Sequence, residues 1–248
     1  MSAPSPVLEA DALVRRYGDR LVVDRVSLTI EARDMVSLMG ASGCGKTTLL
    51  HMLGTLDRPD EGRIRIEGRD VAQLSEAERT RLRRERLGFV FQQSNLLPEL
   101  TARENVALPA WRATGRRRDS LARADALLTR FGLAKRADAR GHVLSLGEAQ
   151  RVAVARAIIN DPRLVLADEP TGSLDSEAAR AVLDALEAVC ASGTALLVVT
   201  HDPAVAARCQ RRLAMADGRL RIDGEVVPVV SNAASPMGAP QGPVLSNR

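Results

Sequence analysis

Aromatic side chains are scarce in this chain: one Trp, one Tyr and three Phe in 248 residues. Proteins that bind single-stranded nucleic acid stack bases on aromatic platforms, and that scarcity argues against such a role. Lysine is rarer still. Only Lys46 and Lys135 occur, so the formal charge of +4 rests on arginine. The arginine runs at 81–86 (RLRRER) and 115–119 (GRRRD) include acids and lack interleaved aromatics, the pattern of solvated helix faces, and no nucleic-acid partner is expected. Three cysteines, Cys44, Cys190 and Cys209, are spaced too widely and irregularly for a zinc site or a disulfide framework and read as reduced thiols. Long apolar runs are also missing. No stretch of about 20 apolar residues could span a bilayer, and the opening MSAPSPVLEA lacks the basic start and apolar stretch of a secretory signal. The expectation is a chain that neither crosses a membrane nor leaves the cytoplasm.

What the sequence does contain is enough apolar residue, 45%, to bury one sizeable core or a core with a small subdomain. Short apolar runs at 35–40 (MVSLMG), 163–168 (RLVLAD) and 195–200 (ALLVVT) each end in a loop or polar residue and read as buried strands. Helical patterns alternate with them, which predicts an α/β core with a largely parallel sheet. Helix starts are legible at Ser75 (SEAE) and Thr101 (TARE), where a hydroxyl and a glutamate three residues on form a capping box. From about residue 93 to 160 no convincing strand pattern occurs, so this stretch reads as a helical insertion within a single domain spanning 7–224. Residues 225–248 turn to Pro, Ser, Ala and Asn without a period and are expected to be disordered.

The chemistry starts at GASGCGKT, residues 40–47, between an apolar strand and a helical run. Closely spaced glycines let consecutive backbone N–H groups curl around a polyphosphate, and the helix N-terminus adds partial positive charge. Gly40, Ala41, Ser42, Gly43, Cys44, Gly45, Lys46, Thr47 and Thr48 are therefore candidate nucleotide-binding residues. Lys46 would reach the β- and γ-phosphates, and the Thr47 hydroxyl would ligate Mg²⁺.

A second constellation, RLVLADEPTGSLD at 163–175, delivers two adjacent carboxylates to a strand's C-terminal end, where ligands sit in open α/β sheets. Asp168 would hold Mg²⁺ through water, while Glu169 would polarise the attacking water. Without the phosphate loop, an Asp-Glu pair opening a loop would mean little.

With both motifs in place, the chain resembles the ATP-binding cassette ATPases from about residue 8 to 222. That resemblance implies a P-loop NTPase core with a mostly parallel sheet, an N-terminal antiparallel β-subdomain and a helical signature subdomain. It also implies roles for further residues. Tyr17, in RRYGD, matches the aromatic that stacks on adenine. Gln92, in FVFQQ, matches the switch glutamine that senses Mg²⁺ and the attacking water. LSLGEAQRVAVARAI, residues 144–158, is similar to the family signature, in which the Ser145 hydroxyl and the Gly147 N–H clasp the γ-phosphate of ATP held by a second subunit; Ser145 and Glu148 also have capping-box spacing, and Glu148 is counted with the nucleotide-binding residues. The SLD loop ending at Asp175 matches the segment joining the two sites of such a dimer. His201 matches the switch histidine that contacts the γ-phosphate and orients water and Glu169. His51 and His142 have no comparable support.

One residue departs from the pattern: Leu146 stands where the family usually has a glycine. The first turn of a helix accepts leucine at ordinary φ, and Ser145 and Gly147 are kept, so a competent site is the expectation. The stretch QQSNLLPELTARENVALP, with GTLDRP and DEPTGSLD, resembles the ATPases of lipoprotein-release, macrolide-export and cell-division complexes. The resemblance implies an ATPase using ATP and Mg²⁺, a second copy of the chain as head-to-tail partner, a transmembrane permease, and a place on the cytoplasmic face of the inner membrane. An ATP-driven regulator of an extracytoplasmic enzyme, or a hydrolysis-impaired subunit marked by Leu146, stays open as an alternative.

Overall fold

In the computed structural model, which describes residues 6–222 and 225–226, the chain opens with two long antiparallel strands, β1 (Leu8–Tyr17) and β2 (Arg20–Ile30). Strand β3 (Met35–Met39) runs into the glycine-rich loop and helix α1 (Lys46–Leu53). Then come β4 (Glu61–Ile66), β5 (Arg69–Asp70), α2 (Glu76–Arg86) and β6 (Leu87–Val90). Three helices follow: α3 (Ala102–Thr114), α4 (Arg117–Arg130) and α5 (Leu146–Ile158). Between residues 96 and 160 the only β-pairing is an isolated bridge, Thr101 to Arg140. Alternation then resumes with β7 (Leu164–Asp168), α6 (Ser176–Ala191), β8 (Ala195–Val199), α7 (Pro203–Ala207), β9 (Arg211–Ala216), β10 (Arg219–Ile222) and β11 (Glu225–Val226).

Two sheets result. The smaller has order β2-β1-β4-β5 and is antiparallel throughout; the larger has order β11-β10-β9-β3-β8-β7-β6. Its five strands from β9 to β6 are parallel, and β10 and β11 are added antiparallel at one edge. Mainly parallel sheets are covered on both faces, so their strands carry apolar side chains on both. The residues obey this: in β7, Leu164 and Leu166 join one core while Val165 and Ala167 join the other. In β8, Leu197 and Val199 go with the first pair and Leu196 and Val198 with the second. One core is closed by α1 and the antiparallel sheet, the other by α3, α4, α5 and α6.

The expected capping boxes form at Ser75 with Glu78 and at Thr101 with Glu104. Each satisfies two backbone donors at the helix start that would otherwise lack partners. Within the stretch expected to be disordered, Glu225–Val226 pair with Ile222 and Arg221 at the edge of the larger sheet. The rest of that expected tail, and residues 1–5 of the opening segment, lie outside the described residues.

Candidate active site

The loop after β3 is shaped by close backbone approaches. A Cβ on Gly45, whose φ is +107°, would lie 2.5 Å from the Val22 carbonyl, and one on Gly40 would meet the Met215 carbonyl. Only glycine fits both positions. Helix α1 then starts at Lys46 with Gly45 as its N-cap and no side-chain hydrogen bond to its first N–H groups. Those donors face the open end of the helix, where its dipole favours an anion. Lys46 is buried and folds back along the loop, its Nζ donating to the Gly40 and Ala41 carbonyls at 2.8 and 2.9 Å.

Strand β7 brings Asp168 to the same place. The Thr47 hydroxyl donates to Asp168 Oδ2 at 3.0 Å, linking residues 121 apart in sequence. Burial pushes the Asp168 carboxyl above its usual range, opposed by the Thr47 hydrogen bond. Glu169 follows with φ +46°, a left-handed conformation rare outside glycine, and its N–H is held by the Val199 carbonyl of the neighbouring strand. Asp168 and Glu169 both line the cavity but meet different partners, Thr47 and His201. His201, just past β8, places Nδ1 2.8 Å from Glu169 Oε1. That hydrogen bond, with the carboxylate's charge, raises the His201 pKa above its ordinary value. Gln92 completes the group: a Cβ on Gly172 would lie 3.3 Å from its Nε2 and 3.6 Å from Glu169 Cβ.

These residues surround one cavity of about 730 Å³. Tyr17, the loop from Gly40 to Gly43, Gly45 to Thr48, Gln92, Asp168, Glu169 and His201 all line it. Its volume falls in the ordinary range for a ligand site. Cys44 is the exception within the loop. Its side chain packs against the apolar core with its sulfur beside Gly40, and it alone of residues 40–48 does not line the cavity. Alternation of orientation inside a tight turn has no sequence period to betray it.

Ser145, Gly147 and Glu148 do not line this cavity within the chain. Ser145 caps α5 in a capping box with Glu148, whose carboxylate also pairs with Arg136 at 3.0 Å. Leu146 points outward, 68% exposed. It stands with Gln92, His142, Ser173 and Leu174 on a second depression of about 490 Å³. Gly147 is packed tightly, since a Cβ there would come within 2.6 Å of Ala178 Cβ on α6.

Three residues escaped the sequence reading. Arg20 lines the cavity mouth. Gln150 on α5 is buried and donates to the Phe91 carbonyl at 2.8 Å, and Arg156 on the same helix donates to the Ser94 and Asn95 carbonyls at 2.6 and 2.7 Å. The last two tie α5 to the segment carrying Gln92. A glutamine on the inner face of an apolar helix was the one available signal.

An oxygen-donor pair can hold a hard cation such as Mg²⁺, and Thr47 Oγ1 with the Asp168 carboxylate supplies one. Among the described residues no cluster of three or more His, Cys, Asp or Glu forms a metal cage. An ion that keeps its waters and leans on phosphate oxygens needs no such cage. No helix among the described residues is long and apolar enough to cross a membrane.

Comparison with known proteins agrees with this geometry. The family model described as ABC transporter matches residues 23–172. The lipoprotein-releasing system ATP-binding protein LolD of Shewanella oneidensis is 46% identical over 223 residues, covering 87% of this chain and 96% of that protein. The LolD 2 protein of Rhodospirillum rubrum is 50% identical over 221 residues, with the same coverage. The macrolide export ATP-binding/permease protein MacB of Rhodospirillum rubrum is 46% identical over 244 residues. That alignment takes in 96% of this chain but 37% of MacB, so the chain spans little more than a third of that relative. Among solved structures, a dimeric bacterial ABC transporter cassette superposes with a TM-score of 0.79 at 36% identity, covering 87% of this chain and 98% of the other. A dimeric cassette in a post-hydrolysis state with ADP and Pi superposes at 0.78, with the same identity and coverage.

Proposed function

The chain belongs to the ABC transporter ATP-binding family, and from that footing we propose that it hydrolyses ATP to drive a membrane permease of the lipoprotein-release or macrolide-export type. The observation that carries the reading is one cavity lined by a phosphate loop, an Asp-Glu pair at a strand end and a histidine hydrogen-bonded to the glutamate.

The roles follow from position. Backbone N–H groups of residues 40–48 and the start of α1 take the phosphates, and Lys46 exchanges its carbonyl partners for β- and γ-phosphate oxygens. Tyr17 receives the adenine. Glu169 accepts a hydrogen bond from the attacking water and aligns it on the γ-phosphorus, while His201 holds the glutamate and reaches the γ-phosphate. Thr47 and Asp168 would hold Mg²⁺, with Gln92 lining the same cavity; when bound, the ion would neutralise charge on the phosphoryl oxygens.

Ser145, Gly147 and Glu148 serve a second copy of the chain. A start of α5 that takes no part in lining the chain's own cavity, and the dimeric cassettes at 36% identity, support a head-to-tail pair in which each signature closes the other's nucleotide site. The pair would sit on the cytoplasmic face of the membrane, held there by the permease.

Turnover of Mg-ATP, measured on the full chain with the membrane partner that copurifies from the native host, tests the reading. Wild type should release phosphate at least about 100-fold faster than Glu169→Gln, the scale of a lost general base. In Mg-ATP the variant should run as a dimer by size-exclusion chromatography. Equal turnover in both proteins would overturn the hydrolytic assignment, and a variant that stays monomeric would overturn the composite site.

A further inference from the structure

Tyr17 sits at the end of β1, and its ring is not left to find its own orientation. Arg15, two residues earlier on the same face of the strand, lays its guanidinium over the ring with Cζ 4.8 Å from the centroid. The Tyr17 hydroxyl donates to Asp57 Oδ2 at 2.8 Å. The same carboxylate accepts from Arg15 Nη2 through Oδ1 at 2.9 Å, so Asp57 bridges the two side chains. Arg15 Nη1 reaches Asp60 Oδ1, also at 2.9 Å, and Asp60 Oδ2 accepts from the Arg16 N–H at 2.7 Å. The Asp60 N–H in turn donates to the Val14 carbonyl. Arg15 is thus gripped by two carboxylates on the loop after α1, with only 20% of its side chain exposed.

We propose that Arg15 is a positioning residue for the nucleotide base: with Asp57 it fixes the Tyr17 ring and closes one of its faces, leaving the other as a preformed stacking platform in the cavity. The inference rests on Tyr17 receiving the base. An exposed tyrosine at a strand end would otherwise sample its rotamers and lose that freedom when a base arrives. Here the hydroxyl and one face are already committed, so the ordering has been done in the folded chain. A guanidinium suits the task because it is planar, stacks on an aromatic face and can hold two carboxylates through its fork at once. A simple staple between β1 and the 57–60 loop would need the two ion pairs but not the ring contact.

Arg15→Gln, Arg15→Lys, Tyr17→Ala and the Arg15→Gln/Tyr17→Ala double variant of the full chain separate these roles. The ligands are ATP, which carries a base, and inorganic tripolyphosphate, which does not, with each affinity read by competition against a fluorescent ATP analogue. Arg15→Gln should weaken ATP about 3- to 10-fold, the scale of ordering one side chain, while leaving tripolyphosphate unchanged. It should raise KM for ATP with little effect on kcat. In the Tyr17→Ala background the same substitution should do nothing further, and Arg15→Lys, which keeps the cation, should recover part of the loss. Equal weakening of both ligands, an undiminished effect without the tyrosine ring, or no effect on ATP would each overturn the proposal. Tyr17→Ala without any loss of ATP affinity would overturn the base-stacking reading itself, a separate failure.

Discussion

His201 Nδ1 and Glu169 Oε1 lie 2.8 Å apart, joining two residues that follow adjacent parallel strands, β8 and β7. The pair makes the turn after each strand answerable to the other. Because the glutamate carries charge, the histidine holds its proton to higher pH than usual.

The sign of that linkage is testable. A histidine whose folded pKa is raised stabilises the pair fully below its unfolded value near 6.5, and the benefit disappears as pH rises through the folded pKa. Replacing Glu169 with Gln removes the charge that the proton pairs with. The His201 titration midpoint, followed by NMR of the imidazole, should therefore move down in Glu169→Gln. An unchanged midpoint would show that the glutamate is not what holds the proton.

Gly147 is expected to tolerate no side chain while Ala178 faces it. Gly147→Ala should lower stability by about 1–3 kcal/mol, the usual cost of forcing a methyl into a packed contact. Ala178→Gly costs only about 1 kcal/mol from lost helix propensity and opens the space. The double variant should accordingly be more stable than the sum of the two losses, read from urea midpoints. Additive losses would mean that the two positions do not touch.

Gln150 donates into the Phe91 carbonyl from a buried position. Gln150→Leu keeps the bulk but leaves that carbonyl without its partner, at a cost of about 1–3 kcal/mol. The denaturation midpoint should fall with an unchanged slope against denaturant, since the surface exposed on unfolding is the same. A midpoint equal to wild type would mean that the carbonyl finds another donor.

Cys44 is the thiol on which alkylation should act. Burial raises the pKa of Cys190, and pushes that of Cys209 up to about 11, so both are poorly nucleophilic as well as enclosed. Iodoacetamide should label Cys44 first, and a group wedged beneath the loop against Gly40 should abolish ATP binding. Mg-ATP should slow the labelling. Mass spectrometry of labelled peptides with and without nucleotide checks both, and full ATP affinity after complete Cys44 modification would end the argument.

Much of the architecture was legible because its signals are local. The glycine spacing at 40–47, the apolar runs ending at Asp168 and Thr200, and the capping boxes at Ser75, Thr101 and Ser145 each place several constraints within a few residues. The alternating order of strands and helices then leaves few topologies open. Contacts across long stretches of chain left no such trace. Arg15 meets Asp57 across 42 residues and Gln150 meets Phe91 across 59, and nothing in either short segment announces its partner. The inward turn of Cys44 was hidden for the opposite reason, because a tight loop has no period from which orientation can be read.

Helix α5 carries Ser145 at its tip and, through Gln150 and Arg156, grips the carbonyls of Phe91, Ser94 and Asn95 on either side of Gln92. The carbonyls that flank Gln92 therefore take their partners from the helix that carries Ser145, and the order of that segment rests on the packing of α5.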